Sequence, residues 1–205
     1  MKQAAAKQLH VPSRQKRWDF IDEAAQQKRG YSAAQVSAQR RHLNPPDRAR
    51  LFSSVKDAAV TGSFGRGFGR SRLDSGSAWV AAKDVSGEWL ILDLGRVMAI
   101  RGLVTQSHFE TGKKKDQSAL ETAYVRRLAV EYKEQERDQW VRMSGEVELG
   151  HSGNARLETP FAADIDARFL KLVVLEWSQH IVLRVGVLLP QNLEAVWAED
   201  GVNKH

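Results

Sequence analysis

From Leu51 onward the chain breaks into short apolar or alternating runs, at 89–94, 100–106, 124–133, 139–143, 169–175 and 181–189. Turn formers separate them: Ser86-Gly87, Gly95, Gly102, Gly112, Gly145, Gly150 and Gly153. Within 124–132, Tyr124, Leu128, Val130 and Tyr132 alternate with Arg127, Ala129 and Glu131, the period of a half-buried strand. No helical stretch of a dozen residues interrupts the runs, which argues against a parallel α/β sheet. The pattern predicts an antiparallel sandwich or barrel.

Before Leu51 the period is different. Ser13 can cap a helix over 14–29 that Gly30 ends, with Trp18, Ile21 and Ala25 on one narrow apolar stripe. Ser32 and Gln35 make a capping box for a second helix over 33–41, stopped by Asn44-Pro45-Pro46-Asp47. Short helices with so little apolar surface are marginal alone in water, so they must pack on the body or on a partner. Past Pro190, a short helix is expected around Leu193, Val196 and Trp197.

Charge follows the same division. Of 31 Lys and Arg and 25 Asp and Glu, eleven basic and four acidic residues fall in 1–50. The first 50 residues therefore carry +7 and the remaining 155 carry −1. Three regions result: a basic, partly helical N-terminal arm (1–50), a nearly neutral β domain (51–189) and a tail (190–205). A basic arm on a neutral body suggests docking on an acidic surface. The residues expected to dock are Arg14, Lys16, Arg17, Trp18, Lys28, Arg29, Arg40 and Arg41.

The 205 residues contain no cysteine, which excludes a disulfide scaffold, a thiolate metal site and a cysteine nucleophile. There is no Asn-x-Ser/Thr sequon and no run of 18 apolar residues. Together these favour a reducing compartment. The first 17 residues are basic, like a weak transit sequence, but only Ser13 supplies a hydroxyl. Cytoplasm, with the cytoskeleton or cilium foremost, is expected ahead of the mitochondrion.

An ordered series of motifs then narrows the fold. Ser71-Arg72-Leu73-Asp74 and Ser77-Ala78-Trp79 come first, then Glu88-Trp89-Leu90-Ile91-Leu92-Asp93-Leu94-Gly95 and Ile100-Arg101-Gly102-Leu103-Val104-Thr105-Gln106. Tyr124-Val125, Val130-Glu131-Tyr132, Trp140, Gly153-Asn154, Ala167-Arg168-Phe169-Leu170-Lys171-Leu172, Trp177 and Leu183-Arg184-Val185 follow. In order and spacing, residues 55–189 resemble a discoidin domain, the type C module of the coagulation factor 5/8 family. The resemblance implies an eight-stranded jelly-roll β-sandwich without enzymatic activity. It also implies binding through loops at one end of the barrel, to phospholipid headgroups, glycans or protein. Arg72, Asp93, Arg168 and Arg184 are charged positions of the pattern, expected to make ion pairs or bonds to loop carbonyls.

Two loops would occupy the binding end. The first, 62–70, carries Phe64, Arg66, Phe68 and Arg70 among glycines; the second, 107–122, carries Lys113, Lys114 and Lys115. The first loop has three readings: stacking on single-stranded nucleic acid, wedging into a membrane surface, or packing of both Phe residues back on the barrel. Extracellular relatives tie the domain ends with a disulfide, whereas the corresponding ends here, near Ser54 and Leu188, lack cysteine. Asp74 and Asp84 are possible calcium ligands, yet no oxygen-rich run accompanies them, so no metal and no cofactor are assigned.

Nothing in the sequence points to catalysis. His10, His42, His108, His151, His180 and His205 show no metal-binding spacing, and no Gly-x-Ser-x-Gly elbow occurs. Acid pairs Glu134/Glu136 and Asp164/Asp166 fall in expected turns. The leading expectation is a structural or adaptor protein, a component of a larger complex whose arm anchors it to an acidic assembly. A microtubule or axonemal lattice comes first as partner and a ribonucleoprotein particle next. The alternative is loop-mediated binding of a glycan or an anionic phospholipid.

Overall fold

The alternating stretch that opens at Trp89 does not stop at Gly95 but runs on as one bent strand. A computed structural model describes residues 41–57, 67–107, 123–151 and 153–190. Nine strands run through them: β1 (His42–Leu43), β2 (Arg50–Phe52), β3 (Trp79–Val80), β4 (Trp89–Gln106), β5 (Tyr124–Lys133), β6 (Val141–Arg142), β7 (Val147–Glu148), β8 (Leu157–Ser178) and β9 (Val182–Leu188). One 3₁₀ turn, Asp47–Ala49, precedes β2. Neighbours pair antiparallel in the order β1-β9-β4-β8-β5-β6, with β2 also on β4, β3 on β9 and β7 on β5. The all-β antiparallel architecture expected from the periodicity is the one observed.

β4 and β8 position everything else, because each is long enough to serve two ladders. Trp89–Asp93 pairs with β2 and with the second half of β8, while Gly102–Gln106 pairs with β9 and the first half of β8. Two register shifts bend the pair between these segments. At the first, the surplus residues lie in β4 between Asp93 and Met98; at the second, they lie in β8 between Pro160 and Ile165. Unpaired surplus residues bend and twist a strand. Gly95 sits in the first bulge at φ +79° with its N–H on Asp93 Oδ1 at 2.8 Å. It turns the strand rather than ending it, which corrects the exit expected there. Gly102 lies where the two strands cross closely: a Cβ there would stand 2.3 Å from the Thr159 carbonyl oxygen.

The core fills the space between the ladders. Trp79, Leu90, Leu92, Ile100, Leu103, Leu128, Leu170, Leu172 and Ile181 are fully buried, each worth roughly 1.5–3 kcal/mol of transfer free energy for the aliphatic side chains. Phe52 stacks on Trp79 with ring centroids 5.7 Å apart, and the Trp79 indole donates to the Ser54 carbonyl at 2.8 Å.

β5 has the expected bounds but not the expected phase. Register shifts on either side of Arg127 bury Val125 with Leu128, and Tyr124 is left half-buried. Asp164 and Asp166, read from sequence as turn residues, lie inside β8 instead. The first half of β8 exposes Pro160, Ala162, Ala163 and Asp164, so it lacks the apolar alternation that marks a strand.

Residues 41–50, counted with the arm on charge, are part of this sheet. His42 and Leu43 pair with Leu188 and Val187, and the body begins at Arg40. Gly186 makes room for this segment: a Cβ there would lie 2.8 Å from the Leu43 carbonyl oxygen and 2.6 Å from a Leu73 methyl. The chain ends of the domain meet, with Leu189 N–H on the Arg41 carbonyl at 2.8 Å. They do not meet at Ser54 and Leu188; Ser54 contacts Trp79, Ala82 and Glu88. The helices expected over 14–29 and 33–41, and the one around Leu193, Val196 and Trp197, fall outside the described residues, apart from Arg41 itself.

Candidate functional site at the loop end

The end of β4, the start of β5, the turn after β8 and the segments 67–78, 81–88, 149–151 and 153–156 gather at one end of the barrel. What holds them is a set of polar clamps at their bases. The Gln106 side chain donates from Nε2 to Asp74 Oδ1 (2.9 Å) and to the Asn154 carbonyl (2.7 Å), and its Oε1 accepts the Asp74 N–H at 2.7 Å. Three bonds of matched polarity satisfy a side chain that is 2% exposed. Arg184, equally buried, donates to the Ser75 carbonyl at 3.0 Å and to Asn154 Oδ1 at 2.8 Å. Burial lowers its pKa, and the charge of Asp74 opposes that effect.

Asp74 is the hub of this cluster. It adopts φ +59°, a left-handed conformation that Asp tolerates better than most residues, and it also pairs with Arg156. Burial alone would raise its pKa. The hydrogen bond and charge of Arg156, with Gln106 and Arg184, outweigh burial and hold the carboxyl below its ordinary value. On the opposite loop, Asp84 accepts from His180 Nδ1 and from the Ile181 N–H, both at 2.7 Å. Gln179, next to His180, stands at φ +59°.

At these loop bases lies a small cavity of about 10 Å³ lined by Gln106, Ser107, Tyr124, Leu149, Gly150 and Leu183, among others. His151 meets the Tyr124 ring edge-on at 5.1 Å. Small-molecule pockets usually span roughly 300–1,000 Å³, so this cavity, with room for about one water, does not enclose a sugar or a headgroup. No group of three or more His, Asp or Glu suited to a metal occurs among the described residues. Asp74 and Asp84, the possible calcium ligands, both accept from protein donors.

A second clamp fixes the N-terminal segment. Arg50 is fully buried. Its Nε donates to the Pro45 carbonyl (2.9 Å), Nη1 faces the Ser71 carbonyl (3.0 Å), Ser71 Oγ (2.9 Å) and the Val185 carbonyl (2.9 Å), and Nη2 donates to Asn44 Oδ1 (3.0 Å). Burial pushes its pKa down to about 9, which the charge of Asp47 opposes and that of Arg72 reinforces, so it stays charged at neutral pH. Asn44 completes the joint by accepting the Leu73 N–H and donating to the Leu73 carbonyl.

The structure brings together some of the residues singled out from sequence. Arg168 grips Asp93 through two bonds of 2.8 and 3.0 Å, and Arg184 bonds a loop carbonyl, as the motif pattern led us to expect. Arg72 does not follow: its buried Nε has no hydrogen-bond partner among the described residues. Phe68 is turned back onto the core, with its carbonyl accepting the Val80 N–H and Lys56 Nζ 5.9 Å from its ring. Arg70 is exposed and engaged in an interaction of its own. Arg41 pairs with Glu158 through Oε2 at 2.7 Å. Phe64, Arg66, Lys113, Lys114 and Lys115 lie outside the described residues, as do Arg14, Lys16, Arg17, Trp18, Lys28, Arg29 and Arg40. Sequence reasoning missed Arg50, Gln106 and the Asp84–His180 pair. Asn44-Pro45-Pro46 before Arg50 was the available signal, since the Pro45 carbonyl and Asn44 Oδ1 both take their donor from Arg50.

Comparison with known proteins agrees with this geometry. A family model described as F5/8 type C domain matches residues 56–187. Lactadherin of Sus scrofa is 28% identical over 123 residues, 58% of this chain and 29% of that protein. Retinoschisin of Mus musculus is 26% identical over 128 residues, 58% of this chain and 53% of that protein. The chain thus spans about half or less of the length of these relatives. Discoidin II from Dictyostelium discoideum superposes with a TM-score of 0.50 at 17% identity, over 69% of this chain and 54% of that one. At that identity the likeness concerns the fold alone.

Proposed function

The chain belongs to the F5/8 type C domain family through residues 56–187, and from that premise we propose that its body is a non-enzymatic module binding a glycan or an anionic phospholipid headgroup at the loop end. The observation that carries this reading is the set of clamped loop bases. Gln106, Asp74, Asn154 and Arg184 hold the loop bases in one geometry, and the Tyr124 and His151 rings meet edge-on at the same end. Preorganised stems with polar groups at the rim suit hydroxyl and phosphate recognition, because little ordering is left to be done on binding. Phe64, Arg66 and the lysines 113–115 supply contacts from the two loops.

The test is binding to glycan panels and to phosphatidylserine-containing vesicles. Phe64→Ala with Arg66→Ala, and separately Lys113–Lys115 to Ala, should each weaken binding about tenfold or more while leaving the melting temperature unchanged. Unchanged binding by both variants removes the loop end as the site. Phe68 is unsuitable for this test, since its truncation removes core packing as well.

A second reading rests on the segregation of charge, +7 in residues 1–50 against −1 in the rest. Here the arm docks the module on an acidic assembly, a microtubule or axonemal lattice ahead of a ribonucleoprotein particle, in the cytoplasm. Co-sedimentation with microtubules and retention on RNA, each across a salt series, separate the two partners. A chain lacking residues 1–40 that keeps full affinity for both rules the arm out.

A further inference from the structure

His42 is held by two partners that make opposite demands. Its Nε2 is 2.6 Å from Glu158 Oε1, and its Nδ1 is 3.1 Å from Arg156 Nη1. A guanidinium carries only donors, so Nδ1 must present its lone pair. An ionised carboxylate only accepts, so Nε2 must carry the proton. Glu158 is ionised: burial would raise its pKa, but the hydrogen bonds it accepts from His42 and Arg41 and the charge of Arg41 hold it below its ordinary value. The two contacts together select the neutral Nε2–H tautomer. With the ring neutral, two arginines, Arg41 and Arg156, face two carboxylates, Glu158 and Asp74, and the charges balance.

We propose that His42 is a proton-controlled bridge between the N-terminal strand and the base of the loop end. In its neutral form it joins Glu158 to Arg156. A proton taken from solvent adds to the Nδ1 lone pair and turns that acceptor into a donor facing the donor of Arg156. The Nε2–Glu158 bond survives as an ion pair, while the Nδ1–Arg156 bond is lost. His42 is only 8% exposed at its side chain, so the ring has little freedom to turn and restore it. Arg156 then keeps only Asp74, whose N–H and Oδ1 are both bonded to Gln106, next to Ser107 where the 107–122 loop departs. Protonation at β1 is thereby felt at the loop base through Arg156, Asp74 and Gln106. The other groups facing the ring cluster are Arg41 on its own segment and Asp74 on the 71–77 segment.

The test uses the full chain labelled with ¹⁵N. Imidazole spectra at pH 8 should show His42 as the Nε2–H tautomer. Between pH 8 and 5, the backbone amides of Asp74 and Gln106 should shift with the same midpoint as the His42 ring. In His42→Gln, whose amide both donates and accepts without titrating, those shifts should disappear. An Nδ1–H tautomer at pH 8, or the same Asp74 and Gln106 shifts in both proteins, overturns the proposal. If the variant does not fold, the tautomer and the shared midpoint in the parent chain still decide.

Discussion

Arg50 carries a positive charge into the interior without a carboxylate in hydrogen-bond contact; backbone carbonyls, a hydroxyl and an amide oxygen take its donors instead. Replacing it by Met removes the donors; Asn44 Oδ1 keeps the Leu73 N–H and the Ser71 carbonyl keeps the Val185 N–H, while each acceptor left unsatisfied costs roughly 1–3 kcal/mol. We expect Arg50→Met to lower the unfolding free energy by about 3 kcal/mol or more, and Arg50→Lys to recover only part of it, since an ammonium lacks the planar fork. Urea denaturation checks both, and a Met variant as stable as the parent would contradict the clamp. The acidic residues set a second expectation. Asp74, Asp93 and Glu158 all have pKa values held below the ordinary carboxylate range, against the opposing pull of burial, by bonds and charges from Arg156, Arg168 and Arg41 respectively, with others. A depressed folded pKa stabilises the fold above the unfolded value, near roughly 4, and that stabilisation fades as pH falls through the folded value. Melting temperature should therefore hold above about pH 5 and drop steadily below pH 4. Asp74→Asn should show a shallower drop.

At the scale of elements, the bent β4–β8 pair decides the architecture, and Gly102 decides whether that pair closes. A methyl group at residue 102 would overlap Thr159 and Pro160 backbone atoms, and backbone cannot swing aside as a long side chain can. Gly102→Ala should cost on the order of 1–3 kcal/mol, the usual range for overpacking, with faster amide exchange at Leu103 and Thr159. Gly76→Ala, with nothing within 4 Å of the added carbon, serves as the control and should be neutral within about 0.5 kcal/mol. The strand β5 was legible in sequence because Leu128, Val130 and Tyr132 alternate with Arg127, Ala129 and Glu131. The first half of β8 was not, because its pairing with β4 is made by backbone, and its side chains there are mostly exposed. The phase error at Tyr124 has a similar origin: a bulge is a property of two strands, and one strand's pattern cannot announce it.

For the whole molecule the consequential boundary is near residue 40 rather than 50. A chain starting at Arg41 should unfold cooperatively with a melting temperature close to that of the full protein. A chain starting at Leu51 loses β1, Arg50 and the His42–Glu158 contact, and it should melt well below it or fail to fold; equal stability of the two truncations would contradict the placement of β1 and Arg50. Docking tests on the arm therefore need the first truncation, since the second confuses loss of charge with loss of fold. By itself the sequence determined the all-β class, the buried apolar strands, the family and the segregation of charge, because each depends on neighbours in the chain or on composition. Tertiary structure alone decided where the body begins and what Arg50, His42 and Gln106 do. Arg50 reaches Val185 across 135 positions, His42 reaches Glu158 across 116, and Gln106 reaches Asn154 across 48. Such pairings are set by how the bent strands cross, and a basic residue destined for a buried clamp reads, in the chain, like any other charge of the arm.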